Sequence, residues 1–205
     1  MIENYVRPLF QKICVDPVAR RCGRYATPNV ITFLSFLTGV AILPSLLFDI
    51  IPIACLLLGI SGYLDTLDGT VARFRQETSD IGTILDILSD RFVEAAIIIG
   101  LYAIDPSNRG LMALCMLSSV LICVTSFLVV GIFTPNHSNK GFYYSPGLIE
   151  RAEAFIFFGV MFCLPNYFTE LSILFSILVV LTAIIRVYQY MKVDVTIVSN
   201  LPFKE

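Results

Sequence analysis

Six long apolar stretches run through the 205-residue chain, and they leave few folds open to it. They cover about residues 29–48, 53–74, 81–104, 111–133, 147–164 and 171–191. A helix of about 17–25 apolar residues is long enough to cross a bilayer. Hydrophobic residues make up 57% of the sequence, charged residues only 15%, and the mean hydropathy is +0.81, which is too apolar for a soluble domain of this size. The sequence therefore predicts an all-α polytopic membrane protein with six transmembrane helices.

The segment before the first apolar stretch, residues 1–26, mixes apolar and basic positions. Its basic side chains can face anionic lipid headgroups while the apolar ones enter the membrane. We expect an amphipathic interfacial helix, bent near Pro17, with a flexible basic tail as the alternative. The chain then divides into this interfacial segment, 1–26, and a transmembrane domain over 27–205.

The basic residues also predict the orientation of the chain. With six spans, both termini and the polar loops 73–80 and 134–146 lie on one side, which carries nearly all Lys and Arg. The other side carries only Arg109. The positive-inside rule assigns the basic side to the cytoplasm. With short loops and no visible targeting segment, we expect a bacterial inner membrane.

Four aspartates interrupt two of these apolar stretches. Asp65 and Asp68 are three residues apart, and Asp86 and Asp90 are four apart, so each pair occupies one face of its helix. The polar segment 73–80 between the pairs is long enough for a helix end and a turn. Two antiparallel helices joined there would bring the four carboxylates together.

A cluster of carboxylates inside a membrane protein requires compensation. Each carboxylate near the centre of a membrane helix costs about 2.5–3.5 kcal/mol. Divalent cations remove that cost, and hard oxygen ligands suit Mg²⁺ or Mn²⁺, so four aspartates can hold two ions. Gly69 and Gly82 leave the backbone bare where a ligand could approach, and Arg73 is placed to hold a phosphate oxygen.

The order Asp65-x2-Asp68-Gly69-x2-Ala72-Arg73-x8-Gly82-x3-Asp86-x3-Asp90 resembles the signature of the CDP-alcohol phosphatidyltransferases, with every position filled. Members of that family move a phosphatidyl group from CDP-diacylglycerol to an alcohol and release CMP. The resemblance implies that the four aspartates bind two divalent metals and that Asp90 also takes the proton of the attacking hydroxyl. It further implies a homodimer. We expect no nucleic-acid partner.

The resemblance also implies a set of contacts to the CDP part of the donor. These are the residues at the start of the first span and around the signature: Pro28, Asn29, Val30, Ile31, Gly69, Arg73, Ser79 and Gly82.

The acceptor alcohol is less constrained. Asp90-Arg91 and the segment 147–153 resemble the inositol-type members, although Ala154 stands where a second basic residue is usual. The stretch 129–134 carries no charge where the phosphatidylinositol-phosphate synthases have basic residues. Arg91, Lys140 and Arg151 remain possible anion contacts. We rank inositol or inositol phosphate ahead of glycerol phosphate, and serine lower.

Two other hypotheses remain beside the transferase. Ion or proton transporters also place aspartates within spans, but they do not need the glycines and arginine at these offsets. A catalytically dead protein of the same fold is disfavoured because no signature residue is missing. Arg186, near the end of the last span, is expected to be a snorkelling anchor.

Overall fold

A computed structural model describes residues 9–23, 25–77, 79–134 and 147–199, with side chains to residue 192. All regular secondary structure in these ranges is helical. A π-helical turn, Gln11–Val15, leads into α1, Asp16–Cys22, and a 3₁₀ turn, Pro165–Tyr167, precedes the last helix. The remaining helices are α2 (Pro28–Val40), α3 (Ile42–Leu47), α4 (Ile51–Arg75), α5 (Asp80–Ile104), α6 (Pro106–Phe133), α7 (Arg151–Cys163) and α8 (Phe168–Ser199).

Four segments in the described part of the chain are long and apolar enough to cross a membrane: Pro28–Leu47, Ile51–Arg75, Pro106–Phe133 and Pro165–Lys192. This supports an integral membrane protein. α5 has 25 residues but carries five charged side chains, and α7 has only 13 residues. Helices therefore occur at all six predicted positions, while the count of six spans stays a prediction.

The first predicted span is not one continuous helix. α2 ends at Val40 and α3 begins at Ile42, with Ala41 between them and Pro44 in the following turn. Proline cannot donate the backbone hydrogen bond that continues a helix, which accounts for a break near this point.

The turn between the two aspartate-bearing helices is built by local chemistry. α4 ends where Gln76 adopts the left-handed conformation, with φ 55°. α5 begins at Asp80 because Ser79 caps it: the Ser79 Oγ accepts a hydrogen bond from the Gly82 N–H at 3.1 Å. The predicted break at 73–80 thus reverses the chain direction and places the two aspartate pairs beside each other.

Two apolar clusters hold the helices together. The larger joins α3, α4, α5, α6, α7 and α8 around fully buried side chains such as Ile97, Leu101, Met116, Phe158 and Phe175. The smaller joins the N-terminal segment to α2 and α4; its members are Val15, Ala19, Ile31, Leu67 and Val71. Residues 1–8 and Arg24 lie outside the described ranges, so the amphipathic helix remains a prediction for part of its length.

Small residues allow α2 to approach α4 and α5 closely. Ser35 and Ser61 exchange hydrogen bonds with each other's backbone carbonyls, at 2.8 and 3.0 Å. A Cβ added to Gly39 would lie only 2.4 Å from a methyl group of Val93. Membrane helices commonly pack through such small residues, because close backbone approach replaces the hydrophobic effect as the source of attraction.

Candidate functional site

Three of the four aspartates converge as the spacing predicts. Asp65 and Asp68 on α4 and Asp86 on α5 each offer a carboxylate oxygen, and these oxygens all lie within 4.8 Å of one another. Asp90, one turn after Asp86, points to the same region but is held by a cation. The Arg151 guanidinium, at the start of α7, donates to the carboxylates of both Asp65 and Asp90.

The carboxylates fit a divalent metal on two observations. They supply only hard oxygen donors, the type that Mg²⁺ and Mn²⁺ prefer. In addition, Oδ1 of Asp86 is buried and has no hydrogen-bond partner among the described residues. A buried carboxylate oxygen without a partner is costly unless a cation satisfies it. Asp65, Asp68 and Asp86 could therefore hold one ion, with Asp90 able to join when Arg151 moves.

Asp68 is fixed by a residue that the sequence reasoning did not include. The Thr32 hydroxyl on α2 donates to Oδ2 of Asp68 at 2.6 Å, and both side chains are buried. Thr32 comes directly after the segment 28–31 that the resemblance singled out. Extending that segment by one residue would have included Thr32 in the predicted site.

A cavity of about 990 Å³ opens beside the carboxylates. Asp68, Asp86 and Asp90 line it. So do six of the eight residues predicted to contact the CDP group: Pro28, Asn29, Gly69, Arg73, Ser79 and Gly82. Residues from α2, α4, the α4–α5 turn and the start of α5 therefore line one cavity.

Val30 and Ile31 are placed differently. Val30 is exposed on the outer face of α2, and Ile31 is buried in the smaller apolar cluster. Neither side chain lines the cavity. Val30 and Ile31 therefore remain candidates for contact with the CDP group only through their backbone atoms.

Gly69 keeps part of the cavity open. A Cβ added there would meet one side-chain atom within 4 Å among the described residues, Nη1 of Arg73 one helical turn away at 3.6 Å. A larger side chain would therefore extend into the cavity beside Arg73. A hydrogen bond within α4 orients Arg73: its Nη2 donates to Thr70 Oγ1 at 3.0 Å. The same hydroxyl accepts from Gln11 of the N-terminal segment at 3.4 Å.

The arginines expected at the acceptor end differ in their surroundings. Arg91 pairs with Glu94 at 2.8 Å, so most of its charge is neutralised within one helical turn. Arg151 is held by Asp65 and Asp90, and Lys140 lies outside the described residues.

The expectation of a snorkelling anchor at Arg186 is wrong. The side chain is 6% exposed and lines the cavity, donating to the carbonyl of Cys123 at 3.0 Å and to Ser126 Oγ at 3.3 Å. Sequence alone gave no signal for this, because the direction of Arg186 depends on the rotation of α8 about its axis.

The comparison with known protein families decides the class. Residues 25–164 match the family model described as CDP-alcohol phosphatidyltransferase. The chain belongs to this family. The match includes every residue of the aspartate signature and the start of α2. As a CDP-alcohol phosphatidyltransferase, the chain is a membrane-bound enzyme of phospholipid biosynthesis that transfers a phosphatidyl group from CDP-diacylglycerol to an alcohol.

Two relatives show how this family member compares along its length. The inner membrane protein YnjF of Escherichia coli K12 is 29% identical over 200 residues, covering 92% of this chain and 94% of the relative. The archaetidylinositol phosphate synthase of Methanothermobacter thermautotrophicus is 31% identical over 153 residues, covering 75% and 73%.

Solved structures agree on the fold. The Mycobacterium tuberculosis phosphatidylinositol phosphate synthase with CDP-DAG bound superimposes with a TM-score of 0.71 at 22% identity, covering 86% of this chain and 93% of that one. The same enzyme in complex with manganese and citrate gives a TM-score of 0.70 at 23% identity, covering 86% and 88%.

Proposed function

We propose that this phosphatidyltransferase is metal-dependent and transfers the phosphatidyl group to an inositol-type acceptor, inositol or inositol phosphate, releasing CMP. The observation that carries the metal dependence is the convergence of Asp65, Asp68 and Asp86 within 4.8 Å beside the cavity. Mg²⁺ or Mn²⁺ bound there, as two ions when Asp90 joins, would neutralise negative charge on the pyrophosphate and on the leaving CMP.

The walls of the cavity divide the remaining tasks. Arg73 is placed to bind a phosphate oxygen, and Gly69 leaves room for the nucleotide to approach the backbone. Pro28, Asn29, Ser79 and Gly82 line the same wall and would contact the CDP group. Asp90, on the other side of the carboxylates, would accept the proton of the acceptor hydroxyl once Arg151 no longer occupies it.

The acceptor assignment rests on relatives and on charge. One relative is named for the synthesis of archaetidylinositol phosphate, and the structural neighbour is a phosphatidylinositol phosphate synthase. Arg186 supplies a basic group in the cavity wall, which the uncharged stretch 129–134 does not. This favours a phosphorylated acceptor. Glycerol phosphate is the second candidate, because Arg186 would bind its phosphate equally well.

Membrane placement follows the same reasoning. We propose a bacterial inner membrane with the cavity toward the cytoplasm, since α4 ends at the cavity with the basic residues Arg73 and Arg75 and YnjF is named as an inner membrane protein. The family resemblance leads us to expect a homodimer. Family membership favours the transferase over the transporter hypothesis.

The test is CMP release from CDP-diacylglycerol by the purified full-length protein in detergent. Mg²⁺ or Mn²⁺ is added with one acceptor at a time: inositol, inositol phosphate, glycerol phosphate, serine or choline. We expect release with an inositol-type acceptor, loss with a chelator, and loss in Asp90→Asn. Asp49→Asn is the matched control, because Asp49 lies in the α3–α4 turn with φ 56°, a conformation that asparagine also adopts. Release with serine alone would refute the acceptor assignment, and release unaffected by chelation would refute metal dependence.

A further inference from the structure

Arg151 stands in an unusual position for a cation. It is the first residue of α7, where the helix dipole is positive and disfavours a guanidinium. It is nevertheless mostly buried there, with 17% of its side chain exposed. Its Nη1 donates to Oδ1 of both Asp65 and Asp90, so one nitrogen joins α4, α5 and α7. The two carboxylates, rather than its own helix, hold this side chain in place.

The hydrogen-bonding capacity of the Arg151 guanidinium is also incompletely used. Nε of Arg151 is buried and has no hydrogen-bond partner among the described residues. The guanidinium carbon lies 5.2 Å from the centre of the Phe155 ring, one turn along α7. A buried donor without a partner costs free energy. A ligand that binds the carboxylates more strongly can therefore displace the Arg151 guanidinium from them.

Asp65 is shared between two sets of neighbours. It belongs to the trio with Asp68 and Asp86, whose oxygens lie within 4.8 Å of one another, and it also accepts from Arg151. Asp90 accepts from Arg151 but is not part of the trio. The four aspartates therefore form two overlapping sets that share Asp65. Asp65, Asp68 and Asp86 make one candidate ion site, and the guanidinium of Arg151 occupies the pair Asp65 and Asp90.

From this arrangement, and resting on the metal site of the proposed function, we infer that Arg151 is a built-in competitor for the second divalent ion. The first ion binds at Asp65, Asp68 and Asp86 while Arg151 stays on Asp90. The second ion enters only when the guanidinium leaves Asp65 and Asp90. Because Arg151 lines the cavity, its release delivers a positive charge to the space where the acceptor binds. Loading of the second ion is thereby coupled to formation of an anion contact.

Arg91 does not have this role although it lies close to the same carboxylate. Its Nη2 is 3.8 Å from Oδ2 of Asp90, whereas its Nη1 pairs with Glu94 at 2.8 Å. Glu94 is buried, and its carboxylate already partners Arg91 on the same helix. The competition is therefore specific to Arg151.

The test measures Mn²⁺ binding to the full-length protein by electron paramagnetic resonance, without lipid substrate or turnover. For the wild type we expect one tight and one weaker ion. Arg151→Gln should tighten the second ion by about tenfold or more, the order expected from removing a unit charge beside a divalent cation. Arg75→Gln is the matched control, because it removes a cation from the same helix as Asp65 but one that pairs with Glu77. Unchanged or weaker binding of the second ion in Arg151→Gln would overturn the inference.

A second measurement uses the wild type and needs no variant. Phenylglyoxal modifies accessible guanidinium groups, and peptide mass spectrometry reports the extent at each arginine. Saturating Mn²⁺ should raise modification of Arg151 several-fold relative to Arg21, which is exposed on α1. Equal modification with and without Mn²⁺ would show that Arg151 does not leave the carboxylates. One tight and one weaker ion in the wild type, without CMP release with any acceptor, would overturn the proposed reaction alone. Absence of Mn²⁺ binding in every variant would overturn both proposals.

Discussion

Replacing Thr32 by valine tests whether the buried hydroxyl orients a metal-binding carboxylate. Valine keeps the shape of threonine, so the packing of α2 against α4 is retained while one hydrogen bond is lost. The bond to Oδ2 of Asp68 is 2.6 Å long and joins two buried groups. The second acceptor of the hydroxyl, the carbonyl of Pro28, lies further away at 3.1 Å.

The expected effect can be worked from this geometry. A hydrogen bond to a charged group contributes about 1.5–3 kcal/mol, which corresponds to a factor of about 10 to 150. Loss of a residue that orients a metal ligand typically lowers metal affinity or activity about 10- to 100-fold. We therefore expect Thr32→Val to weaken Mn²⁺ binding and CMP release by about 10- to 100-fold.

Two further variants make the experiment decisive. Thr32→Ser keeps the hydroxyl and should stay within about threefold of the wild type, far below the loss expected for a missing charged hydrogen bond. Thr38→Val is the matched control on the same helix, because the Thr38 hydroxyl donates to the carbonyls of Leu34 and Ser35 in its own helix, both at 2.9 Å. If Thr32→Val retained the Mn²⁺ affinity and rate of Thr38→Val, the orientation of Asp68 by Thr32 would be refuted.

Two further predictions concern the acceptor and the packing. Arg186→Gln should raise KM for a phosphorylated acceptor about 10- to 100-fold while leaving KM for CDP-diacylglycerol unchanged. Lys192→Gln on the same helix is the control and should change neither KM. Equal shifts in both KM values of Arg186→Gln would contradict an acceptor role. Gly39→Ala should destabilise the protein by about 1–3 kcal/mol, because its Cβ would meet a Val93 methyl at 2.4 Å. Gly59→Ala, with no atom within 4 Å, is its control in thermal unfolding, and equal midpoints would refute the steric argument.

The helix positions could be predicted because they depend on local properties of the chain. The apolar length predicted a helix over about 53–74, and the structure has Ile51–Arg75. The convergence of Asp65, Asp68 and Asp86 followed from spacings of three and four residues and from the polar segment between the helices. The break at Ala41 was not predicted, because the apolar pattern continues unchanged through it.

Contacts between distant segments were beyond the sequence pattern. Thr32 and Asp68 are 36 residues apart, and Arg151 and Asp90 are 61 apart. Nothing in the local sequence says which hydroxyl or which guanidinium a given carboxylate will receive. These pairings arise from the packing of α2 and α7 against the two aspartate-bearing helices, which only the three-dimensional structure shows.

Three of the four arginines that line the cavity, Arg91, Arg151 and Arg186, show why a count of basic residues does not predict anion binding. Arg91 has Glu94 three residues ahead, a spacing at which helical side chains pair, so its neutralisation could have been read from the sequence. Arg151 is neutralised by two carboxylates from other helices, and its charge becomes available only when a metal takes its place. The guanidinium of Arg186 lines the cavity and donates to the carbonyl of Cys123 and to Ser126 Oγ. We therefore expect the acceptor's anionic group to meet Arg186 in the cavity wall and, after ion loading, Arg151 as well.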